Sequence, residues 1–214
     1  MAYINTINIA PQEDSQALAD AIISVLSTAL GWTVNGMNIW KPDSGLGLHF
    51  SLNGANNVQV YMSICCSNYY LATTYQYQVN WASGVSYCVD YINTGNTVAV
   101  GYRRADSMIY LPVCIAANEL GGYKAIQIYG SSLYCLASDY SNAKQFDLPQ
   151  NNIDGCATSI MRLPDIFSGT MFKDLYLEFS CPYNSTDKVY YIGGKYYRHI
   201  GSGGQYGGLA VPVG

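Results

Sequence analysis

Residues able to carry chemistry are few in this chain and fall into no metal or catalytic spacing. Its 214 residues include 2 histidines, 7 cysteines and 14 acidic side chains. Histidine can serve near neutral pH as a general base or a metal ligand. His49, however, sits on the polar side of an alternating segment and His199 follows an aromatic hairpin pattern, and neither has a second histidine at ligand spacing. A Ser-His-Asp triad is assembled in space and not by sequence order, but no Gly-x-Ser-x-Gly elbow is present to offer the serine. A cysteine nucleophile needs an accessible thiolate beside a base. The vicinal Cys65-Cys66 pair is the one unusual arrangement, and strand alternation would send its two side chains to opposite faces.

The carboxylates are equally dispersed. Glu13 and Asp14 fit the start of a helix, where negative charge is favourable. Asp165, Asp174, Glu178 and Asp187 stand in separate local contexts and nominate no glycosidase-like pair. The stretch GSGGQYGG lacks the Gly-Lys-Ser/Thr ending of a phosphate loop and runs into LAVPV instead of a helix. It reads as a turning linker. The expectation is a protein that is not an enzyme and needs no metal or cofactor. A dispersed active site, were there one, would draw on His49, His199 or Cys66.

Composition narrows the field further. Half the residues are hydrophobic, enough for a sizeable core without staples. Only 11% are charged, against roughly 25% in ordinary soluble proteins. Tyr, Asn, Ser, Thr and Gly fill the deficit, with 21 tyrosines and 21 glycines. Such a neutral, aromatic, polar surface is the chemistry of binding surfaces, while tyrosine is also a good strand former. A net charge of −4 with 10 Lys and Arg argues against nucleic-acid binding, and the Arg103-Arg104 pair reads as a solvated strand end. Residues 1 to 14 lack the basic and apolar regions of a secretory signal. The run Leu18 to Leu30 is broken by Asp20, Ser24, Ser27 and Thr28, so no membrane span is expected. The cysteines are odd in number, have no Cys-x-x-Cys spacing and lie mostly in apolar segments, which predicts reduced core thiols made in a cytoplasm.

The elements that would position these residues form an α+β, strand-dominated fold. A short strand or arm, YINTINIA, precedes a helix over about 14–30, started by Pro11 and Asp14 or Ser15 and ended by Gly31, with Trp32 anchoring the turn. Leu18, Ala21, Ile22, Val25, Leu26, Ala29 and Leu30 give it one apolar face. A β-rich body follows over about 33–199. Its candidate strands are Leu46 to Leu52, Val58 to Cys66, Tyr75 to Trp81, Val85 to Tyr91, Thr97 to Arg103, Met108 to Ala116, Tyr123 to Tyr129, Ser132 to Ala137 and Leu175 to Phe179, separated by glycine and asparagine turns. Residues 138 to 155 read as a polar loop and MRLPDIFSG as one helical turn. Gly193-Gly194, flanked by Val189-Tyr190-Tyr191-Ile192 and Lys195-Tyr196-Tyr197-Arg198, predicts a two-residue hairpin. A glycine-rich tail occupies about 200–214. One domain over 1–214 is expected, its amphipathic helix packed on an antiparallel β-sandwich or barrel-like sheet.

The short start MAYINTINIA, the helix ending Leu30-Gly31-Trp32, the Tyr- and Asn-rich strands and the closing Tyr191-Ile192-Gly193-Gly194-Lys195-Tyr196-Tyr197 resemble small structural virion proteins of tailed bacteriophages, of tail, neck or baseplate type. That resemblance implies a protein that assembles with copies of itself and with other virion proteins, located in the virion and assembled in the host bacterial cytoplasm. The interaction surface expected from the aromatic end of the chain comprises Tyr190, Tyr191, Tyr196, Tyr197 and Tyr206. The alternative is a carbohydrate- or receptor-binding module of a phage or bacterial surface, in which Trp40 and Trp81 would stack on cell-surface sugars.

Overall fold

The computed structural model describes residues 4–53, 58–67, 69–71, 76–130, 132–139, 142–147, 159–179, 189–201 and 208–213. The chain enters as a strand, β1 (Asn5–Ile9), and continues into α1 (Ser15–Leu30). Asp14 caps the helix: its carboxylate accepts from the Ala17 amide at 2.7 Å, satisfying a donor that the first turn leaves open. Gly31, at φ 66, ends it in the left-handed conformation that glycine adopts without strain. The buried stripe is Leu18, Ala19, Ile22, Ile23 and Leu26. Ala21, Val25, Ala29 and Leu30, expected on that face, are only half-buried. The stripe is displaced because α1 touches β1 and the strand Tyr87–Asn93 on one side and the strands between Thr33 and Cys66 on the other, instead of resting on one flat sheet.

Three groups of strands follow. The first is β2 (Thr33–Asn35), β3 (Asn38–Trp40), β4 (Leu46–Leu52), β5 (Gln59–Cys66), β6 (Tyr69–Tyr70) and β7 (Tyr77–Asn80). The second is β8 (Tyr87–Asn93), β9 (Thr97–Arg104), β10 (Val113–Ala117), β11 (Tyr123–Tyr129), β12 (Ser132–Leu136) and β13 (Lys144–Asp147). The third is β14 (Ser159–Pro164), β15 (Met171–Phe179), β16 (Val189–Ile192), β17 (Lys195–Gly201) and β18 (Gly208–Pro212). Every pairing is antiparallel. The central sheet has seven strands in the order β1-β8-β9-β10-β11-β12-β13, flanked by β2-β3-β4-β5-β6, with β7 also on β5, and by β14-β15-β18-β17-β16.

Two cores separate these layers. Val89, Val98, Val100, Tyr102, Val113, Ile115 and Leu136 of the central sheet pack with α1 and with Ile39, Leu48, Phe50, Val60, Met62 and Ile64. The alternate residues, among them Ala99, Cys114, Ala116, Ile126, Ile128 and Cys135, pack with Leu175, Leu177, Ile200, Leu209 and Val211. The fold is therefore a layered sandwich and not a barrel. The nearly continuous apolar sequences of β10 and β12 fit strands buried on both faces.

Four local expectations change. Met108 to Pro112 is not strand: Pro112 has no amide to give a ladder, and the Leu111 amide bonds the Ile200 carbonyl of β17 at 3.0 Å, stepping between layers. Met161–Pro164, expected as part of a helical turn, belongs to β14, and only 166–168 turn. Lys144–Asp147, expected within the polar loop, pairs with β12 as an edge strand. Most consequential, Gly208–Pro212 is no tail. It lies between β15 and β17, with Leu209, Ala210 and Val211 buried, because three adjacent apolar residues gain more inside a sheet than exposed to water. Residues 202–207 of the expected tail lie outside the described residues.

Leu209→Ala is therefore expected to cost about 2–5 kcal/mol in urea unfolding, as for other fully buried leucines. A free tail would leave the midpoint unmoved.

Candidate functional site

Gly193 and Gly194, at φ 59 and φ 82, close the hairpin of β16 and β17 as their positions require. The register pairs Tyr190 with Tyr197 and Tyr191 with Tyr196. Alternation puts the two pairs on opposite sides of the sheet. Tyr197 is only 8% exposed and meets Tyr176 edge to face at 4.7 Å, so it does not belong to an exposed surface. Tyr190 is half-buried, and Tyr206 lies outside the described residues. Tyr191 and Tyr196 are 65% and 50% exposed, their rings 4.7 Å apart. Paired tyrosines in sequence signalled this division, since consecutive strand residues cannot share a face.

The side occupied by Tyr191 and Tyr196 can be read from the register. Val189 pairs with Arg198, Arg198 pairs with Val211, and the Val213 amide bonds the Tyr196 carbonyl at 2.8 Å. Val211 and Leu209 belong to the core. Val189, which is 48% exposed, Tyr191 and Tyr196 thus continue the core-facing side of this sheet beyond the part that the central sheet covers. Among the described residues β16 is also the last strand of its sheet.

Other tyrosines turn inward and bind the layers together. Tyr102 is buried and its hydroxyl donates to the Val60 carbonyl at 2.6 Å; Tyr77 donates to the Tyr102 carbonyl at 2.6 Å, and Tyr87 to that of Asn80 at 3.0 Å. Burial raises the pKa of all three phenols. Trp81 donates from its ring nitrogen to the Gln12 carbonyl at 3.1 Å and packs on the core, which commits it to structure.

A second site lies on the outer face of the β2–β6 sheet. The register lines up two rows across it: Trp40, Gly47, Cys65 and Tyr70, and beside them Asn38, His49 and Ser63. The intervening residues Ile39, Leu48, Ile64 and Cys66 face the core. Gly47 leaves a gap in the first row; a Cβ there would run into the Ile39 carbonyl and stand 2.9 Å from Cε3 of Trp40. The result is a cleft of about 320 Å³ lined by Trp40, Cys65 and Tyr70 of the first row, by Asn38 and His49 of the second, and by Cys66, Ser67 and Tyr69. His49 bonds through Nδ1 to Oδ1 of Asn38 at 2.9 Å, and its ring stacks on Tyr70 at 4.6 Å. Burial lowers the pKa of His49, favouring the neutral ring.

The remaining reactive groups are committed elsewhere. His199 is buried in β17, away from His49 in the sequence of layers. Cys66 joins the core and borders the cleft, and Cys65 lines the cleft from the outer row. Cys65, Cys66, Cys88, Cys114 and Cys135 are buried thiols outside any disulfide; burial pushes Cys65 and Cys135 up to about 12. Arg103, expected to be solvated, instead binds the buried carboxylate of Asp90 at 2.7 Å, and Thr6 donates to the same carboxylate. Thirteen positions separate Arg103 from Asp90, so no local sequence pattern marks the pair. Asp165 is buried too. Burial alone would raise its pKa, but hydrogen bonds from Asn118, Phe167 and Ser168, with Lys124 nearby, outweigh that and lower it. Among the described residues no three His, Cys, Asp or Glu side chains gather as a metal site, and no helix is long and apolar enough to cross a membrane.

Comparison of the chain with models of protein families, with curated proteins and with solved structures gives no match.

Thiols this deeply buried react slowly. Alkylation of the native protein followed by peptide mapping is expected to leave Cys65, Cys66, Cys88, Cys114 and Cys135 unlabelled, and brief labelling in urea to modify all five.

Proposed function

We propose that the protein is a non-enzymatic structural component of a bacteriophage virion, acting through protein–protein contacts in a homo-oligomer and with other virion proteins. The observation that carries this is the uncovered continuation of a core-facing sheet side at Val189, Tyr191 and Tyr196. Exposed apolar surface contiguous with a core marks an interaction site more often than scattered hydrophobics do. The same strand, β16, ends its sheet among the described residues and can add a partner strand through its backbone. A surface with only 11% charged residues in the whole chain suits extensive subunit contact. The phage setting comes from the sequence resemblance carried by MAYINTINIA, Leu30-Gly31-Trp32, the Tyr- and Asn-rich strands and Tyr191–Tyr197.

Light scattering coupled to size-exclusion chromatography is expected to give a discrete oligomer as concentration rises. The Tyr191→Ser/Tyr196→Ser double variant should weaken association at least tenfold while keeping the thermal transition within a few degrees, because truncating exposed aromatic anchors removes about 1–4 kcal/mol of binding and little folding energy. A wild-type protein that stays monomeric and also forms no complex with the other proteins of the particle would contradict the proposal.

A further inference from the structure

We propose that the cleft on the outer face of the β2–β6 sheet binds a neutral saccharide. It is a site separate from the β16–β17 surface, built on a different sheet, and does not depend on the assembly proposal.

The chemistry of the lining selects the ligand class. Among the described residues no Asp, Glu, Lys or Arg lines the cleft, which favours a ligand without formal charge. Trp40 and Tyr70 provide aromatic surface, Tyr70 being 53% exposed. Aromatic faces pack against the C–H face of a pyranose as they do against other apolar surfaces. Around them stand hydrogen-bonding groups that the protein does not use. Among the described residues, the ring nitrogen of Trp40, the amide nitrogen of Asn38, Nε2 of His49 and the hydroxyls of Ser67 and Tyr70 have no protein partner, whereas Ser63 on the same face is already bonded by Gln76. Because Nδ1 of His49 donates to the Asn38 oxygen, Nε2 of the neutral ring is an acceptor. The set therefore offers donors (indole N–H, amide N–H₂), an acceptor and hydroxyls that serve either way. Sugar hydroxyls likewise donate and accept. The volume of about 320 Å³ is at the small end for ligand sites, of a size for a short saccharide.

The sequence fixes this arrangement through alternation. Gly47 keeps Trp40 and Cys65 from being separated by a side chain, and the pairing Asn38–His49 sets the histidine tautomer. Trp40 was already a candidate for stacking; its counterpart Trp81 is spent on Gln12, and the polar partners of Trp40 emerge only from the register.

Saturation-transfer NMR on the full chain tests the proposal, with methyl glycosides of glucose, galactose, mannose and N-acetylglucosamine as probes and with adenosine and N-acetyltyrosinamide as competitors of other classes. The expected result is transfer to the ring C–H protons of at least one glycoside. Trp40→Ala should abolish it and Trp40→Phe retain it. His49→Ala should weaken binding roughly threefold to tenfold, the loss of about one neutral hydrogen bond. Amide spectra that match the wild type show that each variant is folded, and Trp40→Phe keeps the test meaningful if Trp40→Ala is not. Three results would overturn the proposal: no transfer to any glycoside, transfer undiminished in folded Trp40→Ala, or a stronger response to adenosine or N-acetyltyrosinamide than to every sugar.

Discussion

The inner strands of the central sheet, β9 to β12, are buried on both faces, and the rest of the molecule follows from that constraint. Each of these strands must supply apolar side chains to two cores at once, so β10 and β12 carry almost no polar residues. Polar groups that do enter must be satisfied locally. Gln127 is buried in β11, facing β5, and its side chain accepts from the Ile64 amide at 3.0 Å, where the edge of β5 is left open between β6 and β7. Tyr102 reaches from the same side to the Val60 carbonyl. Asp90 is matched by Arg103 and Thr6. Buried cysteines fit the second face as small hydrophobes, at Cys114 and Cys135.

That constraint also explains why the two outer sheets differ from the central one. The β2–β6 sheet needs only one apolar side, and its outer side is available, whereas in the β14–β18 sheet Tyr197, His199 and Ala210 on the outer side are buried as well. In the β2–β6 sheet the outward rows collect Trp40, His49, Asn38 and Tyr70 around Gly47. In the β14–β18 sheet the apolar side itself runs past its cover and leaves Tyr191 and Tyr196 in solvent. The excess of tyrosine in the composition therefore has two origins: inward struts such as Tyr77, Tyr87 and Tyr102, and outward anchors such as Tyr70, Tyr191 and Tyr196.

Local chemistry was legible in the sequence wherever one residue type decides the outcome. Asp14 and Gly31 delimited the helix, Gly193-Gly194 gave the hairpin, and the Leu46–Leu52 alternation gave a strand with His49 outward. Long-range placement was not legible. Nothing local distinguishes LAVPV as a central strand from LAVPV as a tail; its place depends on β15 and β17 having open edges for it. Trp40 and Tyr70 lie thirty positions apart and share a row only through two intervening strands. Tyr197 was grouped with its neighbours by composition, though alternation alone would have turned it away from Tyr196.

The central claim is that β16 and the exposed side at Tyr191 and Tyr196 are where the protein joins its neighbours. Hydrogen exchange followed residue by residue, in dilute protein and in the assembled form, tests it most directly. The account predicts that the amides of Val189–Ile192 gain protection on assembly, while those of Thr33–Asn35 and Lys144–Asp147, at the ends of the other two sheets, do not change. Assembly that leaves β16 exchanging as freely as in the dilute protein would contradict it.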